Sequence, residues 1–367
     1  MQAGREVPTT SKCVPLSLPK GSERLCELCQ GKAHLQCRKC RVTFYCGAEH
    51  QQADWLGIHE RICELLVPIR TSTPLHPKHA DYVELQLKKV ELAEICRSVA
   101  QSKLSERKHL EALPAAQCCL RCSVDIYGPS TVQLVPAYLL LAEANMGLGN
   151  LALVGELLCQ AEWAVLKSPD CGHSVHQQLH RSLGRLHAAT GNLEEALVNF
   201  GNDIYFSSKE HGLDSPVTCA GYFLMADVFA KQGKLPIVRS LYSQMAHTWH
   251  SHLTQLLKAH GQNVHYPNPL LKASHDKGQR LEMDEMLRTM LAFQQNDPRN
   301  DPTQVALVSH CLAMLWFLGG DLEKALGFGG AALQASQLIP NYDLTEPIQG
   351  LLQLVHDLHT DPRPGSD

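Results

Sequence analysis

Eight cysteine and histidine residues fall at zinc-binding intervals within one short stretch: Cys26-x2-Cys29, Cys37-x2-Cys40, Cys46-x3-His50 and His59-x3-Cys63. Thiolate sulfur and neutral imidazole are zinc ligands. A two-residue gap lets a tight knuckle present both thiolates to one ion, and an i, i+4 pair does the same from one face of a helix. Eight ligands make two tetrahedral sites. Pairs that alternate along the chain suit an interleaved arrangement, with the first pair joined to the third and the second to the fourth. The alternative is a looser zinc ribbon of Cys26, Cys29, Cys37 and Cys40, with the later residues buried as core. Either way, a segment under about forty residues is too small to fold on its own core, so metal would supply its folding free energy and the zincs read as structural. The elements that must position these ligands are two knuckles followed by a short helix.

The run Tyr45-Cys46-x3-His50-Gln51-x2-Asp54-Trp55-x3-His59-x3-Cys63 closely resembles the second half of a MYND-type zinc finger. The resemblance implies that Cys26, Cys29, Cys46 and His50 hold one zinc, and Cys37, Cys40, His59 and Cys63 the other. The family usually carries Cys where this chain has His50, which leaves a Cys3His set that zinc accepts. The resemblance also assigns Gln51 and Trp55 to a groove for short proline-containing peptides; the plainer alternative packs Trp55 into the finger's own core. With both zincs bound and all six thiols ionised, residues 21–63 sum to about −1, a poor match for nucleic-acid phosphate. Just upstream, Pro15-Leu16-Ser17-Leu18-Pro19 resembles a docking peptide, but its leucine spacing differs from the usual ligand, and no self-inhibition follows from it.

Beyond the finger the chain changes character. Its 367 residues exceed what one hydrophobic core usually holds, and its apolar residues are mostly Leu and Ala with only 6% aromatics, which favours helices. The net charge of −4 gives no global attraction to nucleic acid or anionic lipid. No stretch is apolar for the roughly 18 residues a membrane helix needs, and no apolar leader opens the sequence, so an intracellular, reducing setting is expected. Six of fifteen cysteines lie in the finger; the other nine, including Cys118, Cys119 and Cys122, read as small buried packing residues. His176 with His180, and His247, His250 and His252, read as helix faces rather than metal sites.

A repeat organises the rest. Leu141 to Gly149, Leu183 to Gly191 and Met225 to Gly233 align at a step of 42 residues, and Leu312 to Gly320 fits the same frame 87 residues later. A second series, Ala112, Val154, Ala196, Val238 and Ala325, places a small or β-branched residue in the helix after each turn. Large apolar residue, small residue, glycine turn and second helix describe antiparallel hairpins that must stack to bury their outer faces. The pattern resembles the tetratricopeptide repeat in a long-period form. The expected fold is therefore a small zinc-stabilised MYND finger plus an all-α tetratricopeptide-like solenoid of about five or six hairpins. Expected boundaries are a flexible segment at 1–25, the finger at 26–63, a linker at 64–77, repeats over 78–360 and a frayed tail at 361–367. Residues 261–274 read as a degenerate repeat or a loop. First helices of such repeats line a concave face, which would direct Arg181, Arg185, Phe223, Asp227 and Lys231 toward a partner groove, with ordinary solvated charges as the alternative.

No nucleophile elbow, phosphate loop or dinucleotide fingerprint occurs. SET-and-MYND lysine methyltransferases also join a MYND finger to helical repeats, but 25 residues before Cys26 leave no room for half of their split catalytic domain. The expectation is a non-enzymatic adaptor binding two structural zinc ions, with proteins or peptides as partners and neither nucleic acid, membrane nor small-molecule substrate. The resemblance to MYND and long-period tetratricopeptide proteins suggests factors that assemble or tether axonemal dynein in cilia and flagella, with dynein-associated and other tetratricopeptide proteins as partners. A nuclear co-repressor adaptor is the alternative.

Overall fold

The computed structural model describes Leu16 and residues 24–71, 79–168, 170–262, 277–297, 299 and 301–360. The expected tail at 361–367, most of the expected N-terminal segment and the 261–274 stretch beyond Gln262 lie outside the described residues. The chain divides into two compact units, Met1–Phe206 and Ser207–Asp367.

The first unit begins with the finger. Strands β1 (Leu35–Gln36) and β2 (Phe44–Tyr45) pair antiparallel, Leu35 opposite Tyr45. Helix α1 (Ala48–Asp54) passes into a five-residue π-helical turn, Trp55–His59, and then a short α2 (Glu60–Ile62). The residues read as linker are partly helical: α3 covers Leu66–Thr71, with Leu66 and Ile69 buried. Pro68 does not prevent this, because a proline in the first helical turn removes an N–H that has no intrahelical partner there.

Helical hairpins follow: α4 (His79–Ser105) with α5 (His109–Tyr127), α6 (Val135–Gly147) with α7 (Leu151–Leu166), and α8 (His173–Ala189) with α9 (Leu193–His211). The second unit holds α10 (Pro216–Lys231) with α11 (Leu235–Gln262), then α12 (Lys277–Asn296), α13 (Pro302–Leu318) with α14 (Leu322–Ser336), and α15 (Thr345–Thr360).

The 42-residue period survives at atomic detail. Gly149, Gly191, Gly233 and Gly320 all have φ between 73° and 82°. In each case the next residue's N–H reaches back to a carbonyl five residues earlier: Asn150 to Asn145, Asn192 to His187, Lys234 to Phe229 and Asp321 to Trp316, at 2.9–3.0 Å. This is the glycine-terminated helix end, in which the left-handed residue lets the chain satisfy otherwise orphaned carbonyls. A fifth copy, absent from the glycine pattern, lies one period upstream: Arg107 takes φ 59° and Lys108 N–H bonds the Lys103 carbonyl at 2.9 Å.

Ala112, Val154, Ala196, Val238 and Ala325 are each at most 1% exposed, so the series marks one structural position, the inner face of every second helix. Close approach extends to Gly184 on α8, where an added Cβ would sit 2.5 Å from the Phe200 ring of α9. Cys118, Cys119 and Cys122 are buried in α5 among apolar neighbours, as the packing reading expects, but Cys159 is exposed and Cys171 half-buried, so that reading does not extend to every cysteine outside the finger. His176 and His180 stack on Phe206 at 4.6 and 5.7 Å and serve an interhelical contact.

Candidate metal centre

The knuckle at Cys26–Cys29 closes through Cys26 N–H to the Gly31 carbonyl and Gln30 N–H to the Cys26 carbonyl. The Cys37–Cys40 knuckle closes through Arg41 N–H to the Cys37 carbonyl. Gln30 and Arg41 both take φ 59°, the left-handed conformation that folds each thiol pair toward one point. Helix α1 then supplies His50 one turn after Cys46, and the π-helical turn carries His59 to the interior.

The eight donors converge as two sets. In each set, Cys26/Cys29/Cys46/His50 and Cys37/Cys40/His59/Cys63, all ligand atoms lie within 4.8 Å of one another. Four edges of these sets are Cys29 Sγ to Cys46 Sγ 3.6 Å, Cys26 Sγ to His50 Nδ1 3.4 Å, Cys46 Sγ to His50 Nδ1 3.1 Å and Cys40 Sγ to His59 Nε2 3.6 Å. Zinc–ligand bonds of about 2.0–2.3 Å in a tetrahedron give edges of about 3.5–3.8 Å, and the four edges come within about 0.4 Å of that range. The donor sets therefore fit two structural zinc ions. The interleaved pairing holds, and the ribbon of the first four cysteines does not, because Cys37 and Cys40 face His59 and Cys63.

Electrostatics favour metal over an empty cluster. Burial raises the Cys63 thiol, and crowding by Cys40 and Cys37 carries it to about 12; Cys46 is raised to about 11 by burial and by Cys29 and Cys26. Burial also works against a thiolate at Cys26, but backbone amides of Cys29, Cys46 and Leu28 and the His50 ring bring it down to about 7. Without zinc the Cys46 and Cys63 thiols would hold their protons; a divalent cation relieves the mutual repulsion and displaces them. Burial pushes His59 down to about 4, which keeps its imidazole neutral and able to ligate.

Residues 26–63 are a MYND finger. The family model for the MYND finger matches that span. Among curated relatives, mouse programmed cell death protein 2 is 35% identical over 66 residues, 18% of this chain and 19% of its own. The rat protein of that name is 38% identical over 53 residues, 14% of this chain and 15% of its own. The chain thus spans less than a fifth of the length of these relatives. Among solved structures, BtubC (BKLC) from P. vanneervenii aligns with 68% of this chain and 93% of its own, at 16% identity and a TM-score of 0.30; a likeness at that level carries no argument. MYND fingers as a class mediate protein–protein interaction.

Around the ligands lies a buried charge network that the spacing did not reveal. Tyr45 donates to Asp54 Oδ2 at 2.7 Å, and that oxygen stands 3.6 Å from His59 Nδ1, leaving Nε2 directed at Cys40. Burial, with Glu27 nearby, raises the Asp54 carboxyl to about 7. Glu27, inside the first knuckle, receives two arginines from outside the finger: Arg70 of α3 at 2.7 Å and Arg121 of α5 at 2.6 Å. Burial opposes its ionisation, but Arg121 and Arg70 override burial and hold it near 2. Arg121 also donates to the Glu27 carbonyl at 3.3 Å. On the same helix, a Cβ on Gly57 would lie 2.7 Å from Pro114 Cγ, so the π-helical turn rests directly on α5. Finger and first hairpin are packed together rather than strung on a tether. The only sequence signals were an acid between two ligands and an aspartate beside Trp55, and neither names a partner 43 or 94 residues away.

The docking candidates are placed as follows. Gln51 and Trp55 are half-buried; Trp55 packs against the cysteine core, its ring 5.7 Å from that of His59, while the adjacent Leu56 is 62% exposed. Trp55 therefore has both a core side and an open side. In the first unit, Arg181 is spent on buried Asp203, at 2.8 and 3.1 Å, and Arg185 pairs with Glu143, its counterpart one period earlier, at 3.2 Å. In the second unit, Lys231 pairs with Asp227 at 2.8 Å and Phe223 stacks on Tyr242.

Proposed function

We propose that this chain is a non-enzymatic adaptor: the MYND finger docks extended peptides through the open side of Trp55 and Gln51, and the helical body, a tetratricopeptide-like repeat array, engages a second protein. The observation that carries this reading is the pair of complete four-donor zinc sets, one of them fully buried, inside a family whose role is protein interaction. Four-coordinate sites of this kind leave no open position for a substrate and serve to hold a surface in shape. The 42-residue recurrence of turn geometry supports the repeat reading. The internal pairing of Arg181, Arg185 and Lys231 argues for a body surface that recognises shape and apolar contact rather than a strongly acidic ligand.

The proposed setting is cytoplasmic, with assembly or tethering of axonemal dynein components in cilia or flagella as the specific role; resemblance of the domain combination supports it. Screening a proline-containing peptide library against the zinc-loaded full chain tests the finger. Micromolar binders that lose at least about tenfold affinity in Trp55→Ala are expected, since interface tryptophans are commonly hot spots. A screen that returns no binder defeats the docking reading. Imaging the tagged chain in ciliated cells tests the setting, and nuclear signal without axonemal enrichment would overturn it.

A further inference from the structure

Leu16 is 2% exposed and belongs to the apolar core of the first unit, together with Ile58, Ile62, Leu66 and Ile69. Its main-chain carbonyl accepts a hydrogen bond from Arg70 Nε at 3.0 Å. The other donors of that guanidinium are fixed on the folded body, on the Glu27 carboxylate at 2.7 and 3.1 Å, the Val42 carbonyl at 3.1 Å and Thr43 Oγ1 at 3.2 Å. The arginine is thus held in place without help from Leu16 and turns its Nε–H toward it. An immobilised donor for a backbone carbonyl, beside an apolar recess for one side chain, is the chemistry by which proteins bind extended peptides.

We propose that this recess is a peptide-binding site distinct from the Trp55 surface, occupied in cis by the chain's own segment at Leu16. Trp55 packs against the cysteine core, whereas Leu16 shares the helical core, so the two surfaces draw on different residues. The occupant is this chain's segment because its leucine and carbonyl already satisfy both halves of the site, 54 residues from Arg70 in sequence. One buried leucine and one charge-assisted hydrogen bond make a weak anchor, which tethering in cis raises to occupancy through an effective concentration of about millimolar. Such a contact is exchangeable by construction: a leucine-bearing extended segment from elsewhere would compete for the same donor and recess.

The test uses a chain lacking residues 1–23 and a fluorescent peptide copying residues 10–22, read by anisotropy. The truncated chain should bind saturably, and the full chain at least about tenfold more weakly because the cis segment competes. A peptide with Leu16→Asp should not bind, and Trp55→Ala in the truncated chain should leave binding unchanged. If truncation costs the chain its zinc, the full-length Leu16→Asp variant takes its place and should bind the native peptide. Absence of saturable binding to a zinc-loaded open chain, or equal binding of the Leu16→Asp peptide, overturns the proposal. Binding that disappears with Trp55→Ala also overturns it and moves the peptide to the finger groove, whereas failure of Trp55-dependent library binders would leave this site untouched.

Discussion

The finger and the α13–α14 hairpin solve the same problem, fixing a chain in one conformation, by opposite means. The finger has two strands of two residues each, helices of seven and three, and a core largely made of its own ligands: Cys26, Cys37, Cys40 and Cys63, with Tyr45. Metal must supply what apolar burial does not. The α13–α14 hairpin buries Leu307, Val308, Leu312, Met314, Leu315 and Ala325, each below 4% exposure, and at about 1.5–3 kcal/mol per large side chain needs no metal. Between these extremes lies the α4–α5 hairpin, which packs like the others but also clamps Glu27. The lesson is that a metal-held module can be built into a packed body through one shared carboxylate.

The largest expected effect comes from ligand loss. Cys63→Ser should lower bound zinc from about two to about one per chain and strip exchange protection from the second site, while helicity of residues 302–336 persists; metal analysis beside hydrogen exchange reads both. Next is the clamp. Arg121→Ala leaves the Glu27 carboxylate buried with one partner removed and should cost about 3–5 kcal/mol in the first unit, measured by denaturant titration. Glu27→Gln should cost less than that, and a double variant less than the sum, because the two act as one pair.

Acid should separate the regions by mechanism. Zinc leaves the finger as thiols reprotonate, and Glu27, held near 2 against an ordinary value near 4.5, contributes stability that is present above pH 4.5 and lost as pH falls toward 2. In the second unit, burial beside His250 holds His310 down to about 4, so this imidazole is neutral when folded. Its contribution is lost as pH falls from about 6.5 toward 4, where the unfolded chain takes up the proton first. His310→Asn should flatten that part of the second unit's pH profile and leave zinc release unchanged.

A smaller effect concerns Gly184→Ala, which places a methyl against Phe200 and should cost about 1–3 kcal/mol. Smallest, and of opposite sign, is Arg107→Gly: relief of a left-handed non-glycine residue should stabilise the α4–α5 turn by up to about 1 kcal/mol.

How much was legible in the sequence follows from these contrasts. Metal ligation constrains residue type and spacing together, so all eight ligands were readable, as were the turn glycines and the five inner-face residues, which physics restricts to few alternatives. Arg107 escaped because a helix end can take the left-handed conformation without glycine, at a modest cost, so the repeat began one hairpin earlier in geometry than in glycines. Helix α3 escaped because Pro68 reads as a breaker until its place in the first turn is known. The Glu27 network escaped for a different reason: charge pairs across 43 and 94 residues leave no periodic trace, and the same side chains in solvent would look identical in sequence.

Hydrogen exchange on the full chain, before and after zinc chelation, tests the central claim most directly. The account predicts that chelation strips protection from residues 24–71, loosens α5 around Pro114 to Arg121, and leaves α13 and α14 unchanged. Finger amides that stay protected without zinc, or loss of protection in α13 and α14 together with the finger, would contradict it.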